Sequence, residues 1–184
     1  MGEESTGAEG ALLANRLGAL STALSDMIAE AAAGDMPPGG PDMAALNTIA
    51  LWPVTRIDEL AGILSLSHSG AVRTADRLCA RGLAERRPHP EGARATALHP
   101  TAEGMALADR FQTQRLAALE RLVDTLPADR RARLAETIED LLRLLAPDVG
   151  AANRICRFCD ERICAPDICP TEHWARAQGQ DAKG

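Results

Sequence analysis

The chain has 184 residues, enough for one domain with a real core plus appendages. Its apolar fraction of 46% includes only 2% aromatics and no tyrosine, so the core must come from Leu, Ala, Ile and Val, which favours packed helices over a sheet sandwich. A formal net charge of −6 argues against a generally basic nucleic-acid binder, and no run approaches the roughly 18 apolar residues of a membrane span.

Residues 1–9 are polar and small and are expected to be disordered. "MGEESTGAEG" has neither a basic start nor an apolar stretch, so a secretory leader is not expected and a reducing, cytoplasmic setting is. From Ala11 to Ala33, Leu13, Leu17, Leu20, Leu24 and Met27 recur at alternating spacings of four and three, which predicts a long helix with a narrow apolar seam. "GDMPPGGPD" breaks it, and a short helix is expected from Asp42 to Leu51, stopped by Pro53.

The next stretch reads as two short helices around a tight turn. The first is capped near Thr55 and turns Leu60, Ile63 and Leu64 inward; "SLS" at 65–67 makes the turn, with Ser67 a suitable N-cap. The second runs to about Arg81, buries Val72, Ala75 and Leu78, and stops at Gly82. "LAERRPHPEGARATALHP" reads as strand, turn and strand. Thr101 caps a long helix through about Leu126, and a further helix, with Pro127 suited to its first turn, carries Leu134, Ile138, Leu141, Leu142 and Leu145 as its apolar face. "APDVGAAN" is expected to close it and lead into a cysteine-rich tail.

Two helices, a turn and a hairpin are the layout of a winged helix-turn-helix, whose second helix must offer a polar face to the major groove. Ser69, Arg73 and Arg77 recur every fourth residue opposite the apolar face, and His68 and Ser69 stand at the helix start, where side chains and N–H groups can meet bases or phosphate. Charge is concentrated here: Ser67 to Arg94 holds six arginines against Asp76, Glu85 and Glu91, a net of +3, so the rest of the chain carries −9. Arg81 and Arg86 are placed to pair with Asp76 or Glu85 as readily as with phosphate.

"IDELAGILSLSHSGAVRTADRLCARGLAERRPHPEGARATALHPTAEG" resembles the winged-helix core of the MarR transcriptional regulators, through its acidic-Leu-Ala opening, its Leu-Ser turn, the "RxxDRLxxRGLxER" run and the closing "TxEG". The resemblance implies a mainly α fold with a small β-wing and a homodimer that straddles a pseudo-palindromic operator in double-stranded DNA. Residues 10–33 and 101–147 would then be dimerisation helices around a DNA-binding region at 42–100, with a tail at 148–184. It also implies DNA contacts from Ser67, His68, Ser69, Arg73 and Arg77 in the recognition helix and from Arg87 and Arg94 in the wing. Arg94 matches the tip arginine that enters the minor groove, where groove width is read. The wing tip departs from the family pattern, since "PEGARA" keeps Glu91 and Arg94 but lacks one arginine.

Cys156, Cys159, Cys164 and Cys169 fall within 14 residues as C-x2-C-x4-C-x4-C, with Pro170 following. Four thiolates in one turn-rich loop can converge on a tetrahedral centre, and this spacing suits structural Zn2+ as a knuckle with Cys in place of His. Four cysteines and a trailing Pro equally suit an iron–sulfur cluster. The layout also resembles the four-cysteine tails of MerR-family redox sensors. A metal-free thiol pair is the remaining alternative. Cys79 reads as a packing residue, His173 as a substitute ligand at most, and Phe158 and Trp174 as packing for the loop.

The first reading is therefore a dimeric DNA-binding repressor, not an enzyme, whose four-cysteine centre, an iron–sulfur cluster ahead of zinc, reports redox or metal status. A second keeps the regulator, makes zinc a staple, and places a small organic effector in the cleft between dimerisation and DNA-binding regions, with Trp52 as its lining. A third, a thiol oxidoreductase using "CRFC", lacks the βαβ setting such enzymes need.

Overall fold

In a computed structural model of the chain, residues 3–32, 34, 40–90, 92–164 and 168–171 are described, without the side chains of 3–7 and 92–95. Helix α1 spans Glu3–Ala31 and α2 Pro41–Leu51; the two-residue strand β1 is Thr55–Arg56. Helices α3 (Ile57–Leu64) and α4 (His68–Ala80) follow, then strands β2 (Ala84–His89) and β3 (Gly92–Pro100). Helices α5 (Ala102–Asp124), α6 (Ala128–Leu145) and α7 (Val149–Cys156) complete the chain.

Side-chain caps set several of these boundaries. The Ser67 hydroxyl accepts from the Gly70 N–H at 3.1 Å and starts α4. Glu59 returns a carboxylate oxygen to the Arg56 N–H at 2.8 Å, so the cap of α3 lies at Arg56, the neighbour of Thr55, within the expected position. Thr55 pairs with Leu98 in the sheet instead, antiparallel on the outer side of β3, giving the order β1-β3-β2. Gly82 takes a φ of +70° just past α4, where a side chain would be strained, and the Leu83 N–H reaches back to the Leu78 carbonyl at 3.0 Å.

The close of the wing is equally specific. The Thr101 hydroxyl donates to the Gly82 carbonyl at 2.6 Å and accepts from the Gly104 N–H at 3.0 Å, so one side chain ties the end of α4 to the start of α5. Gly104 then rests on the Leu83 carbonyl: a Cβ there would lie 2.0 Å from that oxygen. The closing "TxEG" is thus a cap plus a close approach.

The main core joins α2, α3, α4, the sheet and α5 through Leu46, Ile49, Leu60, Leu78, Leu98 and Phe111, all buried. Each such side chain contributes about 1.5–3 kcal/mol of burial. Within α4 the buried positions are Ala71, Thr74, Ala75 and Leu78, with Val72 only half-buried.

Three boundaries differ from the sequence reading. Helix α1 begins at Glu3, upstream of Ala11, because no Pro or turn signal interrupts 3–10. Pro127 sits at the N-cap of α6, one position before its first turn. "VGAANRIC" is helical, because the Asp148 carboxylate accepts from the Ala151 N–H at 2.7 Å and caps α7. Helix α6 has no buried residue: on its apolar face Leu134 and Leu142 are half-buried, and Ile138, Leu141 and Leu145 are exposed, as is Leu144. Leu13, Leu17 and Leu20 of α1 are exposed too, so no described residue covers this half of the seam, whereas Leu24 and Met27 further along are half-buried. None of the described helices is long and apolar enough to cross a membrane.

Candidate functional site

Helix α4 stands on the core through Ala71, Thr74, Ala75 and Leu78 and turns Ser67, His68, Ser69, Arg73 and Arg77 outward. Ser67 and Ser69 hydroxyls lie 3.2 Å apart at its start. No described side chain pairs with Arg73, whose guanidinium faces solvent. Arg77, one turn on, is held by Asp42 of α2, its Nε donating at 2.9 Å, and its Nη2 also donates to Thr74 Oγ1 at 3.0 Å. This pair ties α4 to α2 and was not foreseen in the sequence.

On the wing, Arg87 pairs with Glu85 and Arg86 with Asp76 at 2.7 Å. These exposed pairs are worth about 0–1 kcal/mol each, so a phosphate can displace the carboxylate at small cost. Arg94 lies in β3, but its side chain falls outside the described residues, as do Glu91, His173 and Trp174. Cys79 is half-buried against the main core, and burial pushes its thiol up, as befits a packing residue.

The second site begins at the end of α7. Cys156 closes that helix and Cys159 follows a turn, its N–H donating to the Cys156 carbonyl at 2.7 Å. Asp160, only 7% exposed, organises what comes next. Its backbone carbonyl accepts from the Cys164 N–H at 2.9 Å. Its carboxylate takes the Arg162 guanidinium at 2.8 and 2.9 Å, which holds the carboxyl below its usual range. Arg162 also reaches Asp109 of α5 at 3.2 Å.

Two buried amides clamp this loop to the body. Asn47 of α2 donates to the Arg157 carbonyl at 2.7 Å. Gln112 of α5 has its Nε2 2.6 Å from Asn47 Oδ1, 3.0 Å from the Phe158 carbonyl and 3.1 Å from that of Cys159. The Phe158 ring packs on Phe111 with centroids 5.5 Å apart. The loop is therefore anchored to α2 of the winged-helix core and to the long helix α5 that leads out of it.

Cys156, Cys159, Cys164 and Cys169 all line one cavity of about 20 Å3, together with Trp52, Ala152, Asn153 and Glu161. The Thr171 hydroxyl sits between two sulfurs, 3.1 Å from each of Cys156 and Cys169. A hydrogen bond from the Cys156 thiol, with help from Arg115, holds Cys159 below the usual thiol range, and the same bond together with burial raises Cys156 far above it. Burial and the neighbouring Cys169 push Cys164 up to about 11. The four side chains thus face one another, but among the described residues no three His, Cys, Asp or Glu side chains are arranged as ligands of a metal ion. The donor set fits a tetrathiolate centre in kind, and closing it requires the sulfurs to turn from each other and from Thr171.

Trp52 also lines a larger cleft of about 520 Å3 with Thr55, Glu59 and Ile63 on one side and Val149, Asn153 and Arg154 on the other. This cleft lies between α3 and α7.

The fold defined by these elements is the winged helix of the MarR-family regulators. Escherichia coli MarR in its apo form superposes with a TM-score of 0.58 at 22% identity, over 71% of this chain and 96% of that one. RV1404 from Mycobacterium tuberculosis gives 0.64 at 20% identity, over 71% and 90%. CouR from Rhodococcus jostii RHA1, solved with p-coumaroyl-CoA bound, gives 0.51 at 22% identity, over 71% and 91%. No protein-family model and no curated protein matches the sequence. At these identities the likeness establishes the fold.

Proposed function

We propose that this chain is a dimeric, sequence-specific DNA-binding regulator of transcription, acting as a repressor. The observation that carries the reading is α4: on a MarR-like scaffold, its capped start and Arg73 are exposed beside a wing in which Arg86 and Arg87 are held by surface pairs. The exposed leucines of α1 and the exposed Ile138, Leu141, Leu144 and Leu145 of α6 supply the apolar surface that a second copy would cover, which sets two recognition helices on one operator. The test is footprinting on an operator. Arg73→Ala should weaken specific binding by roughly 1–3 kcal/mol if Arg73 reaches a base, and Arg77→Ala should do so if Arg77 leaves Asp42 for DNA. An unchanged footprint after both substitutions removes the recognition-helix assignment.

We further propose that the four cysteines hold a metal centre that reports redox or metal status. Four thiols on one cavity and a Cys159 held towards its thiolate support that reading. A cavity of about 20 Å3 is on the scale of a single ion, whereas an iron–sulfur cluster would need the sulfurs to part much further. The zinc alternative therefore gains on the cluster. Asn47 and Gln112 connect the loop to α2 and α5, so a change at the sulfurs has a mechanical path to the DNA-binding core. Anaerobic purification followed by iron, zinc and sulfide analysis separates the two. Loss of metal in Cys159→Ser with operator binding intact in both redox states would make the centre a staple, and retention of metal would remove Cys159 from the ligand set. A small-molecule effector has its own place to bind, the cleft at Trp52.

A further inference from the structure

The cleft between α3 and α7 carries two opposite charges that do not neutralise each other. Glu59 and Arg154 both line it, and no ion pair joins either of them to another described side chain. One Glu59 oxygen accepts the Arg56 N–H, which leaves the other for a donor. The Asn153 side chain, which also lines the cleft, has no hydrogen-bond partner among the described residues. Between these polar groups stand the Trp52 ring, Ile63 and Val149. At about 520 Å3 the cleft is in the range that encloses small ligands.

We propose that this cleft binds a small zwitterion with an apolar body, the chemistry of a free α-amino acid. The inference rests on the effector reading alone and is independent of what the cysteines hold. A carboxylate suits the planar guanidinium of Arg154, an ammonium suits the unoccupied oxygen of Glu59, and an apolar side chain suits the wall of Trp52, Ile63 and Val149. Neither charge alone uses both groups. A neutral apolar ligand would leave both charged groups facing it unpaired, which penalises it.

The location gives the site a consequence. Glu59 belongs to α3, the first helix of the helix-turn-helix, and Arg154 to α7, the helix that ends in Cys156. A ligand bridging them would clamp α7 onto the DNA-binding core. Trp52 and Asn153 also line the cysteine cavity, so a ligand against Trp52 touches the wall that the thiols share.

The test uses the full chain and three probes of one size: L-phenylalanine, 3-phenylpropionate, which lacks the amine, and phenethylamine, which lacks the carboxylate. Calorimetry is paired with the fluorescence of Trp52 in a Trp174→Phe variant, which leaves Trp52 as the remaining tryptophan. Phenylalanine should bind at least tenfold more tightly than either truncated probe and perturb Trp52 emission. Arg154→Gln should bring phenylalanine to the level of phenethylamine, and Glu59→Gln to that of 3-phenylpropionate. Gln at position 59 keeps an oxygen for the Arg56 N–H, so α3 stays capped and helix content measured by circular dichroism should not change. Equal binding of 3-phenylpropionate and phenylalanine would overturn the zwitterion assignment while keeping an effector cleft. Absence of binding by all three at millimolar concentration would overturn the site itself.

Discussion

Replacing Gln112 with Leu should loosen the cysteine loop without unfolding the protein. The Gln112 amide nitrogen has two hydrogens and three acceptors in reach, Asn47 Oδ1 and the carbonyls of Phe158 and Cys159. Leucine keeps most of the volume and removes both donors, so two buried acceptors lose a partner at about 1–3 kcal/mol each. Part of that returns, because Gln112 Oε1 is itself buried without a partner among the described residues and the substitution deletes it. The net is about 2 kcal/mol, directed at the segment 157–159 more than at the main core. If labelling requires local opening, about 2 kcal/mol corresponds to roughly a 30-fold rise in rate. The assay is the rate of thiol labelling in reduced, metal-free protein, with the tail peptide resolved from Cys79 by mass spectrometry. Labelling of Cys156 and Cys159 at the wild-type rate would refute the clamp.

Gly104→Ala should destabilise the fold by about 1–3 kcal/mol, because its Cβ meets the backbone oxygen of Leu83 and α5 must shift; thermal unfolding reads this directly. Asp42→Ala frees Arg77 from a solvent-screened pair, so operator affinity should stay level or rise up to about fivefold; a fall would show that the pair positions α4. Leu17→Asp with Leu20→Asp should convert a dimer to monomer in light scattering, since both side chains lie on the uncovered seam of α1.

Sequence periodicity made the helix-turn-helix legible because its signals are local. Ser67 and Thr101 cap where they were expected to, and Gly82 carries the positive φ its position demands. Helix α7 was signalled by Asp148 as an N-cap, but the Pro and Gly around it read more strongly as a break. Asn47 and Gln112 could not be read this way. Each is one polar residue on an otherwise buried helix face, and only the 65-residue separation brought together by folding shows that they meet. Asp42 was legible as the first acid of its helix, with nothing local to announce Arg77 as its partner. The four cysteines announced themselves by spacing, whereas Thr171 between two of their sulfurs did not.

The central claim, sequence-specific binding through α4 by a dimer, is tested most directly by selecting bound duplexes from a randomised DNA library with the full chain. An inverted repeat with half-sites one helical turn apart should be enriched, and it should be lost or relaxed when Arg73→Ala replaces the wild type. A library that stays random after repeated rounds, or a site enriched equally by wild type and Arg73→Ala, would contradict it.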